Sequence, residues 1–221
     1  MDELILSATR ASWQIPAHHG TEQDGAEAMK AVRPKVLERD KHTCKFCGFK
    51  AQKWQEVHHV NDDHTNMTLG NLATACPFCH QCFHLGLAGS TAGGSLIWLP
   101  EMTQVELNHL CRALFVAMMD DKGKVYAAAS GLYMSLESRG VFMEQHFAAG
   151  ASDPGVMGQA FLKMKPEAYA KRADFLKNIR LLPHRSRFEP QIKYWAEVVF
   201  RDLPPETWDR LMQDGALAAG A

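Results

Sequence analysis

No apolar run in this sequence approaches the ~20 residues that a bilayer-spanning helix needs. The opening MDELILSATR also lacks the basic-then-apolar layout of a secretory signal peptide. The expectation is a cytoplasmic protein without direct membrane insertion. Excess charge of one sign is missing too. With 24 Lys and Arg against 25 Asp and Glu, the formal net charge of −1 gives no global reason to expect nucleic acid or an acidic membrane surface as partner. Internal repeats and low-complexity tracts are absent, which excludes solenoids and biased, unstructured arrays. What remains is an ordinary globular composition, 46% apolar and 22% charged over 221 residues, enough for one large domain or two small ones with a sound core.

Cysteine is scarce but concentrated. Four of the six stand as two C-x-x-C pairs, Cys44/Cys47 and Cys76/Cys79, separated by residues 48–75. In a reducing compartment such pairs read as metal ligands rather than disulfides. Zn²⁺ takes four tetrahedral ligands, and C-x-x-C lets two thiolates from one tight turn reach the same ion. Gly48 follows the first pair and relieves its turn. The alternative, buried free cysteines acting as small hydrophobes, does not account for two such pairs. Structural Zn²⁺ on Cys44, Cys47, Cys76 and Cys79 is therefore expected. Cys82 makes a further C-x-x-C with Cys79. It would compete only if Cys76 pointed away, and Cys76 is preferred because it begins its segment at a turn with Pro77 behind it. Cys111 lies on an apolar helical face and is expected in the core.

Around these pairs the pattern is α+β. Leu4 to Ser7 reads as a short strand, extending toward Trp13, before an irregular polar stretch to residue 26. Arg33 to Thr43 reads as a short helix with Pro34 in its first turn. KWQEVHHV is a strand candidate, NDDHTNMTLGN a loop with a turn at Gly70-Asn71, and the segment from Cys76 is helical until GLAGSTAGG, read as a flexible loop. SLIWLP is extended. TQVELNHLCRALFVAMMD is a helix with a Thr103/Glu106 capping box and a buried face through Leu107, Leu110, Cys111, Leu114, Phe115 and Met118. Further helices are expected at 124–147, 156–163, 167–181, 189–202 and 205–213. The division is an N-terminal segment (1–29), a metal module with two knuckles, a short β-hairpin and a helix (30–90), and a mainly helical region packed on it (91–221).

Between the knuckles, EVHHVNDDHTNMTLGNL resembles the HNH (ββα-metal) nuclease superfamily. The resemblance implies His59 as general base, His58 as a neighbouring metal ligand, Asn71 as the residue orienting the base, and His80 and His84 as helical ligands. The physics is consistent. Residues 80 and 84 share a helix face, neighbours on a strand point to opposite sides, and a divalent ion held by such a set stabilises charge on a scissile phosphate. This would be a second metal site, distinct from the cysteines. An HNH-like fold kept only as scaffold is the other reading. Lys30, Arg33, Lys35, Arg39, Lys41, Lys45, Lys50 and Lys53 make residues 30–53 locally basic against only Glu38 and Asp40, which suits phosphate or simply a solvated face.

Longer stretches carry a more specific resemblance. RDKHTCKFCGFKA, GGSLIWLPEMTQVELNHLC, GASDPGVMGQ and FLKNIRLLPHRSRFEPQIKYWA are similar to the IcmJ/DotN family of the type IVB (Dot/Icm) secretion system, over roughly residues 32–200. This resemblance implies an HNH-like zinc core with helical additions. It also implies a coupling-complex subunit, docked with other subunits on the C-terminal extension of the coupling ATPase DotL, cytoplasmic and peripheral at the inner membrane. The leading expectation is a non-catalytic adaptor. The alternative is a metal-dependent HNH endonuclease using His59, with nucleic acid as partner only in that case. The stripe Ile192, Trp195, Ala196 and Val199 is read as core before interface.

Overall fold

The computed structural model describes residues 4–8, 22–119 and 123–208. It is α+β, with two small two-stranded sheets among many short helices. The first helix, α1 (Glu22–Arg39), starts earlier than expected, so Pro34 lies inside it rather than in its first turn. AEAMKAV, just before Pro34, consists largely of strong helix formers, which carry the helix through the one hydrogen bond the proline removes. Lys41 and His42, both with positive φ (52° and 54°), end it. The chain then folds into the first knuckle, where the Cys44 N–H donates to the Phe49 carbonyl at 2.9 Å and the Gly48 N–H to the Cys44 carbonyl at 2.9 Å. Gly48 sits at φ +73° with nothing within 4 Å of where a Cβ would stand, so this turn needs its backbone freedom and not its small size.

β1 (Glu56–His59) pairs antiparallel with β2 (Leu72–Ala75), running from Glu56↔Ala75 to His59↔Leu72. The strand is shorter than KWQEVHHV, leaving Trp54 and Val60 exposed. Asp40 ties the hairpin to α1. Its buried carboxylate accepts from the Thr74 N–H at 3.0 Å and from Arg39, and pairs with Lys45 at 3.1 Å. Burial pushes its pKa up, but those hydrogen bonds overcome it and hold the group well below the usual carboxylate range.

The segment after Cys76 is two helices, α2 (Pro77–Cys82) and α3 (Leu85–Ser90), not one. The break has a cause far away in sequence. The Ser7 N–H donates to the Cys82 carbonyl at 2.8 Å, the Leu85 N–H donates to the Ser7 carbonyl at 3.0 Å, and Ala8 bridges to His84. Residues 4–8 are extended but form this isolated bridge instead of the expected strand, and they take over backbone groups that would otherwise continue the helix. The expected extension to Trp13 lies outside the described residues. GLAGSTAGG is not a flexible loop. Most of it is α3 and its cap, and its glycines permit close packing on α7 (Pro154–Lys163): a Cβ on Gly89 would stand 2.3 Å from the Gly155 nitrogen, and one on Gly158 2.9 Å from that of Gly86.

β3 (Gly94–Trp98) follows as SLIWLP implied, then α4 (Gln104–Ala117), with both halves of the Thr103/Glu106 capping box formed. The segment 124–147 divides into α5 (Lys124–Ser138) and α6 (Gly140–His146). The helix expected over 167–181 is replaced by α8 (Pro166–Ala170), α9 (Arg172–Leu176) and a strand, β4 (Ile179–Pro183), antiparallel to β3 from Gly94↔Pro183 to Trp98↔Ile179. Its run IRLLP is buried at four of five positions, a pattern periodicity cannot assign between helix and strand. The Gln104 amide satisfies the free edge of β4, donating to the Leu181 carbonyl and accepting from its N–H, both at 2.8 Å. α10 (Glu189–Tyr194) continues as a π turn, Trp195–Val199. Of the helix expected at 205–213, Pro205–Thr207 is a 3₁₀ turn and residues beyond 208 lie outside the described part. No helix among the described residues is long and apolar enough to cross a membrane.

One apolar core joins the cysteine knuckles to α4 and the C-terminal helix. Phe78 meets Trp195 edge-on at 5.2 Å and Phe188 at 4.9 Å, and Trp195 is fully buried. The 192–199 stripe therefore turns its aromatic residue into the core. A second core gathers Leu6, Cys82, Leu85, Met143 and Phe161 under the β3–β4 sheet.

The α3–α7 contact generates a stability prediction. Gly89→Ala forces Cβ into the α7 backbone and is expected to cost about 1–3 kcal/mol. Gly131→Ala, exposed in α5 with open space around it, is expected to stabilise by about 0.5–1 kcal/mol. Urea denaturation midpoints measure both, and equal effects would contradict the packing.

Candidate metal centre

Cys44 and Cys47 occupy the turn after α1, Cys76 is the N-cap of α2, and Cys79 lies on its first turn, where Pro77 fixes the helix start. All four are buried and none forms a disulfide. Their sulfurs lie within 4.8 Å of one another. The Cys47 and Cys76 sulfurs are 3.7 Å apart, too far for a disulfide. That distance matches the edge of about 3.8 Å spanned by two thiolates tetrahedrally bound at about 2.3 Å from Zn²⁺. The thiols also shift one another. The S–H groups of Cys44, Cys76 and Cys79 draw Cys47 toward thiolate, while burial pushes Cys76 up and its sulfur neighbours push Cys79 up. Cys44 and Cys47 are thus drawn toward thiolate while Cys76 and Cys79 are held as thiols, and a cation in their midst is what would let all four ionise. The donor set fits a soft divalent ion such as zinc.

Helix α4 supplies hydrogen bonds to this cluster that sequence reading missed. The Asn108 amide donates to the Cys79 sulfur at 3.3 Å, and the Arg112 guanidinium donates to the Cys76 sulfur at 3.4 Å. His109 lies 2.9 Å from the Cys47 carbonyl through Nε2 and 3.1 Å from Arg112 through Nδ1. The signal was available: Asn108 and Arg112 stand four apart, interleaved with the apolar face at Leu107 and Cys111. Cys82 is elsewhere. It belongs to the second core, its thiol donates to the Phe78 carbonyl at 3.2 Å, and burial raises its pKa. Cys111 is buried in the first core, with its pKa pushed up to about 12 by burial.

The histidines form a second cluster. His58 from β1, His80 from α2 and His84 from the α2–α3 joint each place a ring nitrogen within 4.8 Å of the others. His80 and His84 do not share a continuous helix face, since the helix breaks between them. The contact with residues 4–8 nevertheless sets His84 with its ring 4.7 Å from that of His80. The Nδ1 of His80 meets the Glu56 carboxylate, which leaves its Nε2 available. Phe83 stacks on His58 at 4.1 Å, and the buried Nδ1 of His58 has no hydrogen-bond partner among the described residues.

His59 is not one of the three converging histidines, but it connects to them through His64, whose ring meets that of His84 at 5.9 Å. It stacks on His64 at 4.6 Å, and its buried Nε2 has no hydrogen-bond partner among the described residues. Asn71 is buried, but its side chain holds the intervening loop, accepting from the Asn61 N–H at 3.1 Å and donating to the Asn66 carbonyl at 2.9 Å. The basic stretch 30–53 is partly engaged as well. Arg33 donates to the Gln55 carbonyl at 2.6 Å, Arg39 to the carbonyls of Leu69 and Leu72, and Lys45 pairs with Asp40.

Burial first, and the positive potential of His80 second, lower the pKa of His58 to about 3 and of His84 to about 2. Burial, then His64, lowers that of His59 to about 4. The fold therefore holds these imidazoles neutral. Unfolded, each takes up a proton near pH 6.5, so the unfolded chain binds more protons below that pH and stability falls on acidification. At pH 5 the loss is at most about 2 kcal/mol per histidine. The urea midpoint is expected to fall markedly between pH 7 and pH 5, and to fall less in His59→Gln. An unchanged midpoint would contradict the burial of neutral rings.

No family model matches the chain. Among curated proteins, the type 4 apparatus protein DotN of Legionella pneumophila is 39% identical over 203 residues, which is 91% of this chain and 92% of that protein. The match runs through both the cysteine module and the helical region around it. On that identity and coverage, this chain belongs to the IcmJ/DotN family.

Proposed function

We propose that this chain is a non-catalytic adaptor subunit of a type IVB secretion coupling complex, binding the C-terminal extension of a DotL-like coupling ATPase. The observation that carries this reading is the near full-length identity to a type 4 apparatus protein. In it, residues 30–90 are an HNH-like module whose cysteines 44, 47, 76 and 79 hold a structural Zn²⁺. The described part of the region 91–221 packs on that module, and residues 1–29 precede it as a separate N-terminal segment. The shared core of the knuckles with α4 and Trp195 supports a metal that stabilises a docking scaffold. The protein sits at the cytoplasmic face of the inner membrane through its partners and not through a span of its own. Tagged chain is expected to co-purify with the C-terminal region of a DotL-like ATPase after nuclease treatment, with micromolar or tighter affinity by calorimetry. His59→Ala should bind equally well. Failure to associate at micromolar concentrations would remove the adaptor reading.

One observation favours a second reading, a metal-dependent HNH endonuclease with His59 as base and Asn71 orienting it: the convergence of His58, His80 and His84, with Glu56 on His80, could hold a second divalent ion. Two observations weigh against it. The Asn71 side chain is occupied in the loop, and Arg33, Arg39 and Lys45 are already bonded within the fold. The trio is then a residual nuclease site without a cellular role. Plasmid nicking with Mg²⁺, Mn²⁺ or Ni²⁺ is expected to stay at background for the native chain, His59→Ala and His84→Ala alike. Metal-dependent cleavage lost in His59→Ala would establish the nuclease instead.

A further inference from the structure

Arg112 is 1% exposed, and among the described residues no carboxylate lies within ion-pair range of it. A buried guanidinium without a counter-charge is among the costliest arrangements a core can contain. The surrounding rings relieve it only partly. Its guanidinium carbon lies 3.8 Å from the Phe49 ring centroid, 5.3 Å from that of Trp195 and 5.4 Å from that of Phe78. What it touches in the way of charge is sulfur: Nη2 donates to Cys76. Nη1 donates to Nδ1 of His109, whose Nε2–H in that tautomer donates to the Cys47 carbonyl. One side chain therefore reaches both knuckles, the second directly and the first through His109.

Four thiolates around one divalent ion leave two net negative charges in a buried site. We infer that Arg112 is the built-in counter-ion and clamp of this tetrathiolate centre, a positioning residue that slows metal loss by neutralising the cluster and tying its two knuckles together. The inference rests on the zinc reading above. Arg112 and the metal-loaded cysteines are then mutually dependent. Thiols in their neutral state leave the arginine unpaired, and a cluster without the arginine carries its whole excess charge in an apolar core. Asn108 adds a neutral hydrogen bond to Cys79 and no charge, so its loss should matter less.

The experiment uses the full chain as purified, with Arg112→Lys, Arg112→Gln and Asn108→Ala. Zinc is measured by elemental analysis, and its release by transfer to a chromogenic chelator. Native protein is expected to carry one zinc; none in well-folded native protein defeats the zinc reading itself. Given zinc in the native chain, Arg112→Gln is expected to release it about 10–100-fold faster, the range usual for partners of metal ligands, with Asn108→Ala closer to native. Cobalt-substituted Arg112→Gln should show its thiolate-to-metal charge-transfer band at longer wavelength, because a thiolate relieved of a positive neighbour is a better electron donor. A merely structural role would not move that band. Native release rate and an unmoved band overturn the inference. If Arg112→Gln does not fold, Arg112→Lys decides: it keeps the charge but loses the fork, so faster release supports the clamp and native release overturns it.

Discussion

The apposition of two knuckles around four sulfurs is the constraint on which the rest of this fold depends. The pieces that present those sulfurs are too short to hold themselves. The β1–β2 hairpin has four residues per strand and α2 has six residues, below what a hairpin or helix sustains alone in water. The knuckles converge only because larger elements press on them. Asp40 anchors the hairpin to α1, and α4 supplies both apolar surface and hydrogen-bond donors to sulfur. Metal binding to such a site contributes to folding, because the site does not exist in the unfolded chain. The division into a small metal module and a helical region is thus a division of sequence. Energetically, the aromatic residues Phe78, Phe188 and Trp195 join the two.

A second dependence runs through the extended N-terminal residues. Residues 4–8 pair with the joint between α2 and α3, end α2 at Cys82 and fix His84. The histidine trio therefore comes from three separated pieces, β1, α2 and the α2–α3 joint, with the extended residues 4–8 bracing the joint. On an unbroken helix, residues 80 and 84 would share a face by periodicity alone. Here they meet because backbone contacts from Ser7 and Ala8 bend the path between them.

What the sequence revealed followed from how local each signal was. The knuckles, the Gly48 turn and the Thr103/Glu106 box are set by spacing within a few residues, and each was legible. The N-terminal extent of α1 was obscured because Pro34 reads as a start signal wherever it stands. β4 was hidden because a fully buried strand shows no alternation, so IRLLP looked like the end of a helix. GLAGSTAGG looked flexible because the close approach of Gly155, which gives those glycines their purpose, is more than sixty positions away in sequence. At the candidate metal centre, the four cysteines were visible as repeated residue types, whereas Asn108 and Arg112 were concealed by a helix whose apolar face alone seemed to explain it.

Helix α2 explains how one short segment, CPFCHQCFH, can serve two clusters with unequal constraint. Cys76 and Cys79 face the first core, where Phe78, α4 and Trp195 surround them, so replacing either disturbs packing, hydrogen bonds from α4 and any bound metal together. His80 faces the hairpin and is partly exposed, and its recorded polar partner is the side chain of Glu56. Its neighbours His58 and His84 are buried, and His58 stacks on Phe83 at 4.1 Å and meets Phe46 of the first core edge-on at 5.6 Å. The histidine side thus leans on the same core through His58, while the hydrogen bonds from α4 reach the cysteines alone. One six-residue helix therefore carries two side-chain clusters, the cysteines bonded from α4 and the histidine bonded from the hairpin.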